Sequence, residues 1–347
     1  MISAVEHEQH RQGPAELTPG YFAGVMGTGI VSIGAALIGL EVISTVLFWC
    51  TVVFYVVLVI LNVWRLAAYR DRVVADVNNP TRAFGFFTFI AATNVLSAVL
   101  LNTHFATLAM ILLAVSIVAW LVLGYVIPWL AMLGSGRHAT LQDANGTWFI
   151  WVVASQSIAV VASGLGSAEP ELQGALAIIS VMTWAVGIAL YIACAIFVTL
   201  RIMLYGVRPV DLAPSYWVTM GALAITVVAG ARIVEMQDAP MINVTRALVA
   251  GLSVIFWSFA TWLIPVLVGA GIWRHWHHRV PLRYEPGLWS FVFPMGMYAV
   301  ASISLGRADS LPIVEAIGHG WFWLSLAVWA IVLVSMIVQI TKRFTRC

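Results

Sequence analysis

The densest cluster of groups able to bind a metal or carry a proton is Arg274-His275-Trp276-His277-His278-Arg279. Three histidines so close together suggest a metal centre or a membrane-embedded hydrolase. Their spacing does not set ligands on one helix face, and Glu285 is the only carboxylate near them in sequence. A basic interfacial loop anchored by Trp276 is the favoured reading, with a metal-dependent membrane enzyme as the distant alternative. Cys50, Cys194 and Cys347 are dispersed and odd in number, so they form neither a disulfide framework nor a metal set. No Ser/His/Asp order or Gly-rich phosphate loop stands out. Neither enzymatic activity nor a metal or other cofactor is expected.

A different chemistry is offered by Trp289-Ser290-Phe291-Val292-Phe293-Pro294-Met295-Gly296. Pro294 removes one backbone donor and clashes with the carbonyl of Ser290, leaving an unpaired acceptor and a kink. That acceptor cannot face lipid, but it can face other helices or a water-filled cavity. The segment therefore reads as an inner helix with Phe293 at its bend. Phe293 is then either an ordinary packed aromatic or a plug across a pore.

The elements that must position these residues are membrane helices. The 347 residues are 62% hydrophobic and 9% charged, with a mean hydropathy of +0.97, which no ordinary soluble domain matches. A net charge of +2 gives no footing for nucleic acid. Apolar stretches at about 18–40, 46–66, 83–102, 105–133, 145–166, 173–200, 214–232, 246–272, 286–306 and 314–340 read as ten spans, each near the roughly 20 residues a bilayer requires. The uncharged run from Ala83 to Gly136 is too long for one helix, and Asn102-Thr103-His104 is its natural break. Residues 1–17 lack the character of a signal peptide and read as a cytoplasmic tail. A single transmembrane domain over 18–341 and a short cytoplasmic tail over 342–347 complete the organisation.

Fourteen of the 17 basic residues fall in the N-terminal tail, in the loops after even-numbered spans or at the C-terminus; the exceptions are Arg232, Arg246 and Arg307. By the positive-inside rule both termini are cytoplasmic, in a cell (plasma) membrane. The odd spans also repeat. Phe22, Phe86, Trp148, Trp217 and Trp289 open them, and mostly small residues follow five to seven positions later. The odd spans are rich in Gly, Ala, Ser and Thr, the even ones in large aliphatics that suit lipid. The expected fold is all-α and polytopic, with ten transmembrane helices arranged as five helical hairpins around a central five-helix pore.

The stretch Pro19-Gly20-Tyr21-Phe22-Ala23-Gly24-Val25-Met26-Gly27-Thr28-Gly29-Ile30-Val31-Ser32 resembles the opening helix of the tellurite-resistance/dicarboxylate transporter family. That family includes slow-type anion channels, malate permeases and sulfite exporters. The Trp289–Gly296 stretch resembles its ninth helix, and Asn145-Gly146-Thr147-Trp148 followed by Ala154-Ser155-Gln156 is similar to its fifth. The resemblance implies a ten-helix subunit, commonly in homotrimers, with a pore formed by the odd helices and occluded by Phe293. By the same resemblance Thr28, Gly29 and Gln156 are lining candidates.

The residues themselves permit an anion path without naming the anion. No Asp or Glu lies in the middle of an odd span, and the hydroxyls of Thr28, Ser32, Thr93 and Ser155 could supply donors. Asn94 belongs with these lining candidates, and Pro294 and Gly296 form the kink. Arg232 is either an anion attractor at the outer mouth or a snorkelling partner of Glu235. His104 reads as a loop residue. The expectation is an anion channel or transporter for small inorganic anions or dicarboxylates. A C4-dicarboxylate (malate) carrier and a sulfite or tellurite carrier are the alternatives.

Overall fold

All ten apolar stretches are helices, since only an unbroken helix satisfies its own backbone groups in lipid. The computed structural model describes residues 14–101, 105–133, 139–236 and 239–344. The spanning helices are α1 (Ala23–Leu37), α2 (Glu41–Ala68), α3 (Phe87–Leu100), α4 (Ala106–Leu133), α5 (Phe149–Ala168), α6 (Gln173–Leu204), α7 (Val218–Glu235), α8 (Pro240–Ile272), α9 (Trp289–Ala308) and α10 (Pro312–Phe344). His104 and its proposed break, Asp238, residues 1–13 of the N-terminal tail and residues 345–347 of the C-terminal one lie outside the described residues. Four of the five even helices run past their predicted ends: α8 begins at Pro240 rather than 246, and α2 at Glu41 rather than 46. Charged residues cut the apolar count short there, but a helix continues through the interface once its charged side chains reach water.

Two populations separate by burial. In the central stretch of each odd-numbered span 72 to 83% of the residues are buried, against 17 to 39% in the even-numbered ones. Among the described residues every exposed large apolar side chain lies on an even helix or in a connection, none on an odd helix. Bulky exposed side chains such as Val53, Ile111, Trp262 and Ile331 thus form the surface that lipid solvates.

The odd helices form a closed ring, in which α1 touches α3, α3 touches α5, α5 touches α7, α7 touches α9, and α9 returns to α1. Each even helix packs on the odd helix before it and also touches the one after it, with α10 reaching round to α1. Glycines permit the close approaches. A Cβ on Gly221 of α7 would meet Pro294 Cγ at 2.9 Å and its Cα at 3.1 Å. On α9, a Cβ on Gly296 would meet Ile30 of α1 at 2.7 Å. Small residues bring helix backbones together where lipid supplies no hydrophobic drive.

Polar staples hold the two rings together. On four of the five outer helices an aromatic side chain hydrogen-bonds the following inner helix. Tyr55 meets Thr93 at 2.9 Å, Trp184 Nε1 donates to the Thr226 carbonyl at 3.0 Å, Trp257 Nε1 to Ser302 at 2.9 Å, and Trp329 Nε1 to Thr28 at 3.1 Å. At the end of α2 the buried Arg65 donates to Asp76 at 2.6 Å; Asp76 lies on the short helix Arg70–Val77 and also accepts from Arg82 at 2.7 Å. Each carboxylate oxygen is taken by one arginine, which offsets the cost of burying the charge.

Candidate functional site

Each inner helix is preceded by a 3-10 turn, over Pro19–Phe22, Ala83–Phe86, Gly146–Trp148, Pro214–Trp217 and Pro286–Leu288. Proline pre-sets the backbone at three of these starts and costs no bond, because the first amides of a helix are unpaired anyway. Neighbouring turns touch all the way round. A Cβ on Gly146 would meet the Ser215 backbone at 2.3 Å, and one on Gly85 would meet Gly20 N at 3.3 Å. Only glycine lets the turns close to this degree.

Inside this ring of turns is a cavity of about 250 Å³ lined by residues from all five. Each inner span contributes one hydroxyl residue: Thr18, Thr81, Thr147, Ser215 and Ser290. Thr81 and Thr147 donate their protons to Asn79 and Asn145, at 2.8 and 2.6 Å. Arg82 and Glu285 are the charged lining residues. Five helix N-termini thus converge on one mouth, each carrying roughly half a positive elementary charge from its aligned peptide dipoles. Beside the mouth, burial pushes the Tyr284 phenol up to about 12, and its oxygen accepts from Trp289 Nε1 at 3.2 Å.

At the opposite end of the ring, arginines cap helix C-termini. Arg246 donates to the carbonyls of Val234 and Met236, and Arg307 to that of Leu37 at 2.9 Å. Cations there complement the negative helix ends. Arg232 sits in a half-exposed pair with Glu235 at 3.8 Å.

Phe293 is 1% exposed, among the largest fully buried side chains. The contacts of α9 fix its faces. Trp289, Val292 and Gly296 lie against α1, and Pro294 against α7. Ile303 and Gly306 lie against α10, while Tyr298 and Ser302 bond α8. At 100° per residue Phe293 lies between Trp289, on the α1 side, and Pro294, on the α7 side. Among the described residues its ring pairs with no other aromatic, whereas Phe291 packs edge-on against Trp217 with centroids 4.6 Å apart.

The polar residues expected to line a pore make hydrogen bonds within their own helices or to a neighbouring one. A hydroxyl has one proton, and those of Thr28, Thr93, Ser155 and Ser32 go to the carbonyls of Gly24, Phe89, Thr183 and Ser44. Gln156 turns toward α6, donating to the Trp184 carbonyl at 3.1 Å, and Asn94 bonds Ser157 of α5 at 2.9 Å. Gly29 faces Val95 and Thr51, while Pro294 and Gly296 face α7 and α1. The histidine run forms a π-helical turn, Trp273–His277, and among the described residues no three His, Cys, Asp or Glu groups gather as metal ligands.

Sequence reasoning missed the mouth. Its signal lay just before each aromatic anchor, where Pro19-Gly20, Gly85, Gly146, Pro214-Ser215 and Pro286-Gly287 mark tight turns.

The geometry defines an all-α membrane protein of five hairpins, with an inner ring of helices wrapped by an outer one. Residues 16–337 match the family described as "Voltage-dependent anion channel" (SLAC1), and the chain belongs to that family. It is 61% identical over 157 residues to uncharacterized membrane protein Rv1735c of Mycobacterium tuberculosis, covering 45% of this chain and 80% of that protein. Uncharacterized transporter MJ0576 of Methanocaldococcus jannaschii is 25% identical over 327 residues, 91% of each chain. The sulfite efflux pump SSU1 of Arthroderma otae is 22% identical over 342 residues, 90% of this chain and 88% of the pump. The family is one of transporters and channels, consistent with small anions as substrates.

Proposed function

We propose that the chain passes small anions along the axis of its five odd helices, entering or leaving by the mouth and occluded at Phe293. The observation that carries this is the wheel of α9. Ser290, Phe293 and Met297 follow one another, about one turn apart, on the arc between the faces that meet α1 and α7, and Phe293 and Met297 are buried there. Ser290 also lines the mouth. A path that begins at five converging helix N-termini favours anions, as an isolated helix N-terminus does on a smaller scale.

The mouth is assigned to the cytoplasm, with both termini on the same side. Arg65, Arg70, Arg72, Arg82, Arg201, Arg208, Arg274, Arg279, Arg283 and Lys342 lie at its level, against Arg232, Arg246 and Arg307 at the other. The plasma membrane and a homotrimer, each subunit with its own path, complete the reading.

The likeness to a sulfite efflux pump favours sulfite within the anion class. The test is a selectivity series in proteoliposomes with chloride, nitrate, sulfite and malate. Flux of the inorganic anions with sulfite foremost is expected. Saturable malate counterflow without current would replace the channel by a dicarboxylate carrier, and no flux of any of the four would contradict the proposal.

A further inference from the structure

Behind α9, on the side away from the ring axis, an apolar groove of about 1070 Å³ runs between α6, α8 and α10. It is as large as the top of the 300–1,000 Å³ range of ordinary small-molecule sites, and far larger than the mouth. Its deep wall includes Phe291 and Met295, the residues that flank the Phe293-Pro294 kink on its outer face. Its outer walls come from lipid-facing helices, so its natural content is hydrocarbon.

One end of the groove is not apolar. Arg274 and His275 line it there, on the π-helical turn that ends α8. Single-turn π segments recur at functional positions because they re-aim side chains. Arg274 donates to the Leu212 carbonyl, but its Nε is buried with no partner, and among the described residues no carboxylate pairs with it. The nearby Asp211 is taken by Arg201 and Arg208. His275 Nδ1 donates to the Val280 carbonyl, 2.8 Å away, and the adjoining Trp276 is 84% exposed, as a headgroup-level anchor would be. A guanidinium with no carboxylate partner among the described residues, at the rim of an apolar groove, matches a phosphate above acyl chains.

We propose that this groove is a binding site for an anionic phospholipid, with its phosphate at Arg274 and an acyl chain against the back of α9. A lipid held there braces the kink from outside, so occupancy would set how readily the Phe293 ring moves. That second consequence rests on Phe293 being the gate; the binding itself does not.

Native mass spectrometry of protein extracted from vesicles of equal phosphatidylcholine and phosphatidylglycerol tests it. Wild type is expected to retain phosphatidylglycerol in preference, a comparison that needs no variant. Arg274→Gln should lower that retention about tenfold. Gly271 lines the groove and a Cβ there meets nothing within 4 Å, so Gly271→Trp should fill the groove and expel the lipid without disturbing the ring. Phe293→Ala should retain lipid in full, which separates failure of the gate from failure of the site. Equal retention of both lipids, retention that survives Arg274→Gln and Gly271→Trp, or lipid loss in Phe293→Ala alone would overturn the assignment. So would a change of oligomeric mass without lipid loss in Gly271→Trp, since a second copy of the chain would then cover the groove.

Discussion

The inner and outer rings are built from the same kind of apolar helix, yet they obey opposite rules. Inner α7 and outer α8 are joined in one hairpin, but α7 buries nearly every residue from Val218 to Ile233 while α8 buries five. The difference lies in side-chain size and in what surrounds each helix. An inner helix has neighbours on four sides and tolerates bulk only where a glycine or a gap receives it. An outer helix has lipid on most of its circumference, where any large apolar side chain is accommodated. Many buried polar groups follow the same division: Thr28, Thr93, Ser155, Gln156 and Ser302 of inner helices each hydrogen-bond an outer helix.

Substitutions can break this comparison or sharpen it. The largest effect is expected where an outer helix is buried after all, at the end of α2. Asp76→Ala strands the 3%-exposed Arg65, whose Nε and one terminal nitrogen already lack partners. A loss of about 3–5 kcal/mol is expected in unfolding measurements in detergent. Next comes a matched pair of glycines. Gly221→Leu drives a side chain into Pro294 and should cost about 1–3 kcal/mol, while Gly271→Leu, facing open space, should stay within about 0.5 kcal/mol. Equal costs would erase the distinction between the rings.

Two tryptophans on α8 give a finer contrast. Trp257→Phe removes the 2.9 Å bond to Ser302 and should cost about 1 kcal/mol, whereas the 63%-exposed Trp262→Phe should be near neutral. The smallest effect is expected outside the membrane. The hydrogen bond from Arg208 holds the Asp211 carboxyl below its ordinary 3.8, so this loop's contribution to stability is present above that value and is lost as the pH falls through and below it. Asp211→Asn should remove that part of the acid sensitivity, seen as a flatter dependence of thermal unfolding on pH below 4.

Much of this was legible in the sequence, for physical reasons. Charge-free stretches long enough to cross a bilayer have few alternatives to helix, and the contrast of small against bulky side chains separated inner from outer helices. The proline at 294 placed α9 inside. The direction of individual side chains was not legible. Thr28, Thr93, Ser155 and Gln156 read as polar residues of inner helices, but whether a side chain points to an axis or to an outer partner depends on helix rotation, which neighbours set. Trp184, Gly187 and Trp329 make that choice, and they lie far away in the chain. The mouth escaped notice because it is assembled from five turns that are each unremarkable alone.

The central claim is that Phe293 closes the axis of the inner ring. Radiotracer or halide-sensitive dye flux through proteoliposomes tests it directly, comparing wild type, Phe293→Ala and the outer-ring control Trp262→Phe at equal reconstitution. The account predicts at least about a tenfold higher chloride or sulfite flux for Phe293→Ala, equivalent to about 1.4 kcal/mol off the barrier, with the control unchanged. A folded Phe293→Ala protein whose flux equals that of wild type would contradict it.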